Sequence, residues 1–450
     1  MDIPKAVSVL QQLYDIPISV STAYTYRKSY KERTHQAKRH THSQIVDISL
    51  HKSTRDANVH VSINSHFATA DVQYFLSYFD LQCMSTIARD NKAKVHCDVE
   101  VIQRPSKSWV KVRYSDHDWQ KNSDRTLVPT TYQLVSMTDL SKEENVLCEL
   151  DGIPMVKTRV TGPGLSIIKS SLFEQESCFR HMNELLFVLS LEEFKYHFMR
   201  DGEFVSQLLI TVDGGGDERP RNKQTHFNTG ILRWLLDMDK VKTISFAEGD
   251  SKLHSVERVH LAENRALSQN GVISSYNIHS DETDEYGFKD LGKMKENMEA
   301  AASLAVQRIK GTSFAGGHLQ SYRGPSVDEW VFPLDCDGHI RSFLSRDTNE
   351  FRNENNFVLR PRGPIWEKLC TLYGLDEFKV ISASRLFNQI YEPNHSWQQK
   401  YGFTVYRPDE DWRGDAQVRR FEIQTILDVG RLPEYHYLPY VQVEKLVSFF

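Results

Sequence analysis

Three acidic residues stand where the pattern of the chain changes. Asp90 lies in Arg89-Asp90-Asn91-Lys92, just after the strand-like run at 83–88. Asp213 follows the unbroken apolar run Leu208-Leu209-Ile210-Thr211-Val212 and precedes Gly214-Gly215-Gly216. Glu257 falls in the first turn of a helix predicted from Ser255 to Ser268. Magnesium takes hard oxygen ligands and keeps several waters, so a few carboxylates can hold it. Two ions held in this way would activate the attacking oxygen of a phosphodiester cleavage and stabilise the leaving one. Carboxylates doing such work must come from rigid elements, because a misplacement of about 1 Å is costly. The glycines after Asp213 let a ligand or phosphate approach the backbone. A strand-end Asp is also an ordinary turn residue, and a Glu at a helix start is favoured by the helix dipole alone. Asp98, Asp217, Glu218 and Glu263 are nearby competitors. The assignment to Asp90, Asp213 and Glu257 therefore rests on order, spacing and element type together.

The elements that must position these acids can be read from periodicity. Val95, Cys97, Val99 and Val101 alternate with His96, Asp98 and Glu100, and alternation returns at Trp109–Tyr114. Period-two patterning predicts strands, and with the run before Asp90 it predicts an antiparallel meander of three. Residues 115–170 read as loop-rich, with strand-like pieces at Tyr132–Met137 and Met155–Val160 and a turn at 161–164. Helix is predicted for 172–200, roughly 223–237, and 287–309. The run Leu208–Val212 reads as a strand buried on both faces, beside the strand that ends at Asp90. Another short strand is expected at Val241–Phe246. In the predicted helix from Ser255, Glu257 shares a stripe with His260 and Asn264, while Val256 and Val259 turn the other way. This order predicts an α/β fold, a mixed sheet flanked by helices.

The wider composition sets limits. A chain of 450 residues predicts two or three domains: a helical, basic arm over 1–60, a catalytic domain over 61–325, and a C-terminal region over 326–450 of no assigned role. A 40% apolar and 26% charged content is that of a globular chain. No run of eighteen apolar residues predicts a membrane span, and the first twenty residues carry no secretory pattern, so an intracellular protein is expected. The six cysteines form no CxxC pair, which argues against a zinc knuckle or a disulfide framework, and the eighteen histidines form no HExxH. Net charge is −5, yet Arg27, Lys28, Lys31, Arg33, Lys38 and Arg39 face one acid, Glu32, within thirteen residues. A local basic patch of this kind is what phosphate contact requires. It follows two short predicted helices, which read equally as a small helix-turn-helix-like region or as a helical arm with a solvated face.

The stretches RDNKAKV (89–95), SDHDW (115–119), TVDGGGDERP (211–220) and SVER (255–258) resemble a group of transposon-derived animal and fungal proteins. These are of the DDE class of cut-and-paste transposases. TYRKSY (25–30) and KRH (38–40) are similar to the segment between their DNA-binding helices and catalytic core. The likeness runs in order over about residues 16–270. It implies a ribonuclease-H-like fold in which Asp90, Asp213 and Glu257 are the catalytic acids and the ligands of Mg²⁺ or Mn²⁺. It further implies DNA as partner, held by the basic arm with Lys92 and Lys94, a nuclear location, and room for a homodimer. The activity expected is that of a transposase or transposase-derived nuclease; a domesticated protein that binds DNA or a partner without catalysis is the alternative. Asn91 stands where the relatives often carry a second Asp, and their late cysteine-rich pattern is absent.

Overall fold

In the computed structural model, Gln207–Val212 forms a strand buried along its whole length, as an unbroken apolar run requires of a central strand. The structure describes Pro4, Val7, Ser8, Gln11, Gln12 and Ser19–Ser21, and then 84–98 without 93. It further describes 125–135, 146–150, 153–156, 162–246 without 201, 216 and 217, and then 254–269, 272–391, 396–398 and 402–407. The chain divides into two units, residues 1–60 with 109–111 and residues 61–108 with 112–450. In the first unit the described residues are helical except Ser19, which directly precedes helical Val20 and Ser21. The basic residues from Arg27 to Arg39 lie outside the described residues, as does the expected strand at Trp109–Tyr114.

The second unit is built on one mixed sheet. Its strands are β1 (Met84–Asn91), β2 (Val95–His96), β3 (Thr126–Val135), β4 (Gly164–Ser170), β5 (Gln207–Val212), β6 (Lys240–Ser245), β7 (Gln320–Arg323), β8 (Ser396–Gln398) and β9 (Gly402–Tyr406). They lie in the order β7-β4-β3-β1-β5-β6-β9-β8, with β2 also paired to β3. Strand β5 runs parallel to β1 on one side and to β6 on the other, with Arg89 opposite Val212. Strand β3 is antiparallel to both β1 and β4.

The meander takes a different course from the one expected. Val95–His96 does not lie antiparallel to β1; it continues the line of β1 along β3, with Asn91 opposite Thr130 and Val95 opposite Leu127. The strand then stops because Asp98 adopts a positive φ of 62°, a left-handed turn conformation in which Asp is tolerated. The antiparallel neighbours of β1 and β3 come instead from Thr126–Val135 and Gly164–Ser170, inside the stretch read as loop-rich. At Gly164 a Cβ would meet Leu319 at 2.8 Å and Val259 at 3.0 Å. The glycine opens β4 and admits close packing of the helix Glu257–Gln269 that carries Val259.

Among the described residues the longer helices that flank the sheet are α1 (Cys178–Leu189), α2 (Lys223–Leu235), α3 (Glu257–Gln269), α4 (Leu291–Ile309), α5 (Leu334–Leu344), α6 (Pro364–Tyr373) and α7 (Ala383–Tyr391). Polar caps start several of them. Ser177 accepts from Arg180 N, Asn222 from Gln224 N, and Asp290 from the backbone of Gly292 and Lys293, satisfying otherwise orphaned N–H groups. One face of the sheet carries the larger core, where Ile87, Tyr132, Ile167, Leu208 and Ile210 meet α1, α2 and α5–α7. The other face carries Ala88, Leu127 and Ile168 against α3 and α4, with Ala262, Ala266, Ala301 and Ala305 keeping the helices close. The described part of the C-terminal region thus does not form a core of its own. Its helices share the larger core, and β9 pairs with β6 to extend the sheet. Among the described residues no helix is long and apolar enough to cross a membrane.

Candidate metal centre

Strand alternation sends neighbouring residues of β1 to opposite faces. Ile87 belongs to the α1 side and Ala88 to the α3 side, so Asp90 follows Ala88 toward α3. On β5, Val212 faces the larger core while Thr211 reaches His254 just ahead of α3, Thr211 Oγ1 lying 3.2 Å from His254 Nε2. Asp213 follows Thr211 in phase, immediately past the end of β5. The pairing of Arg89 with Val212 makes Asp90 and Asp213 the next residues on adjacent parallel strands. The Thr211–His254 contact then anchors the approach to α3, and Val256 and Val259 seat its first turn in the smaller core.

Two of the three predicted carboxylates, Asp90 and Glu257, meet as a result, and the third donor of the cluster is His260, not Asp213. Donor atoms of Asp90, Glu257 and His260 all lie within 4.8 Å of one another. Asp213 stands beside this group, with one carboxylate oxygen accepting the Gly214 N–H at 2.8 Å. Asp90 has no ion pair among the described residues. Its carboxyl is pushed up to about 8, first by burial and then by the negative charges of Asp213, Glu218 and Glu257, while the Asn91 backbone pulls weakly the other way. Like charges gathered in a partly dry site have this effect on an acid. Glu257 shifts the opposite way, held low chiefly by its hydrogen bond with His260. The two groups lie 3.5 Å apart, Nδ1 to Oε2.

The competing acids have other partners. Asp98 accepts from the backbone N–H of Ser275 at 2.8 Å and from its hydroxyl. Glu263 is fully buried and accepts from Thr131 Oγ1 at 2.6 Å and from Ser166 Oγ. Glu218 is bound to Arg89 at 2.8 Å. Asp217 lies outside the described residues. Asn91 faces away from the centre: its amide accepts from Thr130 Oγ1 at 2.8 Å and lies 3.2 Å from His181 Nε2. A carboxylate at position 91 would therefore look into the α1 side of the sheet, not at Glu257.

Of the two lysines expected to contact DNA here, only Lys94 is exposed. Lys92 is buried, donating to the His260 carbonyl at 3.3 Å and lying 3.9 Å from Glu263. That lysine fixes α3 to β1 instead of reaching solvent. At Gly214 an added Cβ would meet Phe246 O at an ordinary 3.6 Å and no other described atom within 4 Å, so packing among the described residues does not demand glycine there.

Two features were not assigned from the sequence. The sequence puts His260 on the stripe of Glu257, and a Glu and a His three apart on one helical face are natural joint ligands. The second is a charged network beneath α1. Lys169, fully buried, lies 2.8 Å from Glu176 and 2.9 Å from Glu184. No local spacing announces it, because Lys169 and Glu184 meet only once β4 is packed under α1. No family model, curated protein or solved structure matches the chain.

Proposed function

We propose that this chain is a transposase or transposase-derived nuclease that cuts DNA with divalent metal held by Asp90, Asp213 and Glu257. The observation that carries the reading is the convergence of Asp90 and Glu257, from a strand end and a helix start, with Asp213 at the next strand end near enough for its charge to raise Asp90, and with no cation paired to Asp90 among the described residues. The residues fit a divalent ion: a mostly buried carboxyl raised to about 8 by neighbouring carboxylates is relieved by positive charge, and oxygen donors suit Mg²⁺ or Mn²⁺. When bound, such ions supply activation of the attacking oxygen and charge stabilisation of the leaving one. The chain's own part is to fix the donors. Asp90 and Asp213 ride on adjacent strands of the sheet's centre, and Glu257 is held in place by the packing of Val256 and Val259. Gly214 and Gly215 are half-buried, and the missing side chains would leave a phosphate room to approach beside Asp213. An α/β sheet flanked by helices is compatible with a ribonuclease-H-like fold, which supports the reading, as does the ordered resemblance over 16–270. The basic arm from Arg27 to Arg39, with Lys94, would hold DNA phosphates and set affinity more than sequence choice.

The test is Asp213→Asn, which removes a charge and keeps the shape. With labelled duplex DNA and Mg²⁺ or Mn²⁺, the parent should nick DNA. The variant should not, though it should bind DNA as tightly in a gel-shift titration. Asp98→Asn, whose amide oxygen can still accept from Ser275, should cut like the parent. Parental cleavage by Asp213→Asn would refute the assignment.

A further inference from the structure

His260 has a geometry that the three-acid reading leaves unused. It stands one turn after Glu257 on α3 and is 7% exposed. A ring nitrogen lies within 4.8 Å of donor oxygens of both Asp90 and Glu257. Its Nδ1 faces Glu257 at 3.5 Å, and its Nε2 is buried without a hydrogen-bond partner among the described residues. A buried ring nitrogen is normally satisfied, so an imidazole buried beside two carboxylates with one nitrogen unpartnered needs a reason. Lys92 holds the ring's helix from beneath by donating to the His260 carbonyl at 3.3 Å. The lysine that could have neutralised Asp90 is thereby tied to the backbone of the next donor.

We infer that His260 is itself a metal ligand, giving the site an O,O,N donor set with Asp90 and Glu257 that favours Mn²⁺ over Mg²⁺. The inference rests on the metal-holding part of the function proposed above. The chemistry is that of donor softness. Oxygen-only sites suit Mg²⁺, Ca²⁺ and Mn²⁺ alike, whereas imidazole is a poor partner for Mg²⁺ and a good one for first-row transition ions. An E-x-x-H pair on one helix turn is a rigid way to present both donor kinds to one ion. Mg²⁺ would be held by the carboxylates alone, and Mn²⁺ would gain the nitrogen.

The experiment is Mn²⁺ binding to the full-length, DNA-free protein, followed by electron paramagnetic resonance. Affinity comes from the free-ion signal, and ligand nitrogen from electron spin-echo modulation. The parent should bind Mn²⁺ with a ¹⁴N modulation that changes to the ¹⁵N pattern when histidine is supplied as the ¹⁵N form. His260→Gln should lose the modulation and weaken Mn²⁺ binding by roughly tenfold or more. Mg²⁺ affinity, read by competition, should move less than about threefold in the same variant. His254→Gln should keep the modulation, which decides the matter even if His260→Gln does not fold. Mn²⁺ bound without nitrogen modulation, or with modulation lost only in His254→Gln, would overturn the role of His260 while leaving the carboxylate site standing. No Mn²⁺ binding by the parent would overturn both this inference and the proposed metal chemistry.

Discussion

Beneath α1, Lys169 lies between Glu176 and Glu184, and Arg89 on β1 holds Glu218 at 2.8 Å. Through the sheet, beneath α3, Asp90 faces Glu257 and Asp213 with no Lys or Arg paired to it among the described residues. The carboxyl of Glu184 is brought down to about 2: burial pushes it up, but Lys169 and His181 outweigh that push. The carboxyl of Asp90 is driven up to about 8. Both acids are largely removed from water, so burial alone does not separate them. What separates them is whether the fold supplies the counter-charge. On the α1 side the cation is covalently part of the chain and fixed for good. On the α3 side no fixed cation is paired with Asp90 among the described residues, and the proposed metal would supply the missing charge.

Removing the fixed cation should have the largest effect. Lys169→Met should destabilise the chain by about 3–5 kcal/mol, because fully buried Glu184 loses its partner and keeps its charge. Adding Glu184→Gln should recover much of the loss, since two neutral groups replace an orphaned anion. Urea unfolding of parent, single and double variants measures this. A loss below about 1 kcal/mol for Lys169→Met would show that the pair is not what holds that side together.

On the other face the sign reverses. An acid whose folded pKa rises from 3.8 to about 8 binds a proton more tightly folded than unfolded. Its burial therefore costs stability progressively as pH climbs from about 4 to about 8, and costs nothing below that window. Asp90→Asn in chelator should be more stable than the parent above pH 8, by on the order of 2 kcal/mol after allowing for the solvent that reaches the site. The gap should close as pH falls toward about 4. Thermal melts across that range would reveal it, and a variant less stable than the parent at high pH would show that Asp90 is not held among uncompensated charges. The smallest effect is expected at the neighbouring residue. Asn91→Asp adds a carboxylate one position along β1, but on the α1 face, so Mn²⁺ affinity should change by less than about twofold. A clear gain in metal binding would mean that position 91 reaches the centre after all.

Much of the site was legible because its acids fall at element ends, and element ends are what periodicity marks. The strand at 207–212 has no polar residue but Gln207 and Thr211, and the helix from 257 shows its apolar stripe at Val259, Ala262 and Ala266. Strands β3 and β4 hid for a physical reason. Thr130, Thr131, Ser166 and Lys169 are buried, yet each is satisfied by a side chain far along the chain: Asn91, Glu263 or Glu184. Buried polar residues of this kind erase the alternation that betrays a strand. Pro129, in the middle of β3, also argues against a central strand, but its carbonyl still accepts from Lys92 N at 2.9 Å. In the C-terminal region the helices are short and take their apolar anchors from a core shared with α1 and α2, so no local period stood out. The pairing of Lys169 with Glu184 and the orientation of His260 depend on which elements pack together, and no spacing along the chain encodes that.

The pairing of β6 with β9 has a consequence for synthesis. Strand β6 ends at Ser245 and its partner does not begin until Gly402. At roughly 5–20 residues per second, the intervening stretch leaves the ribosome about 8–30 s later. For that interval the nascent sheet would display a row of unpaired N–H and C=O groups, a template to which another emerging chain could add. Crowded polysomes and fast induction should favour such misjoining, while slow expression at low temperature gives each chain time to close its own edge.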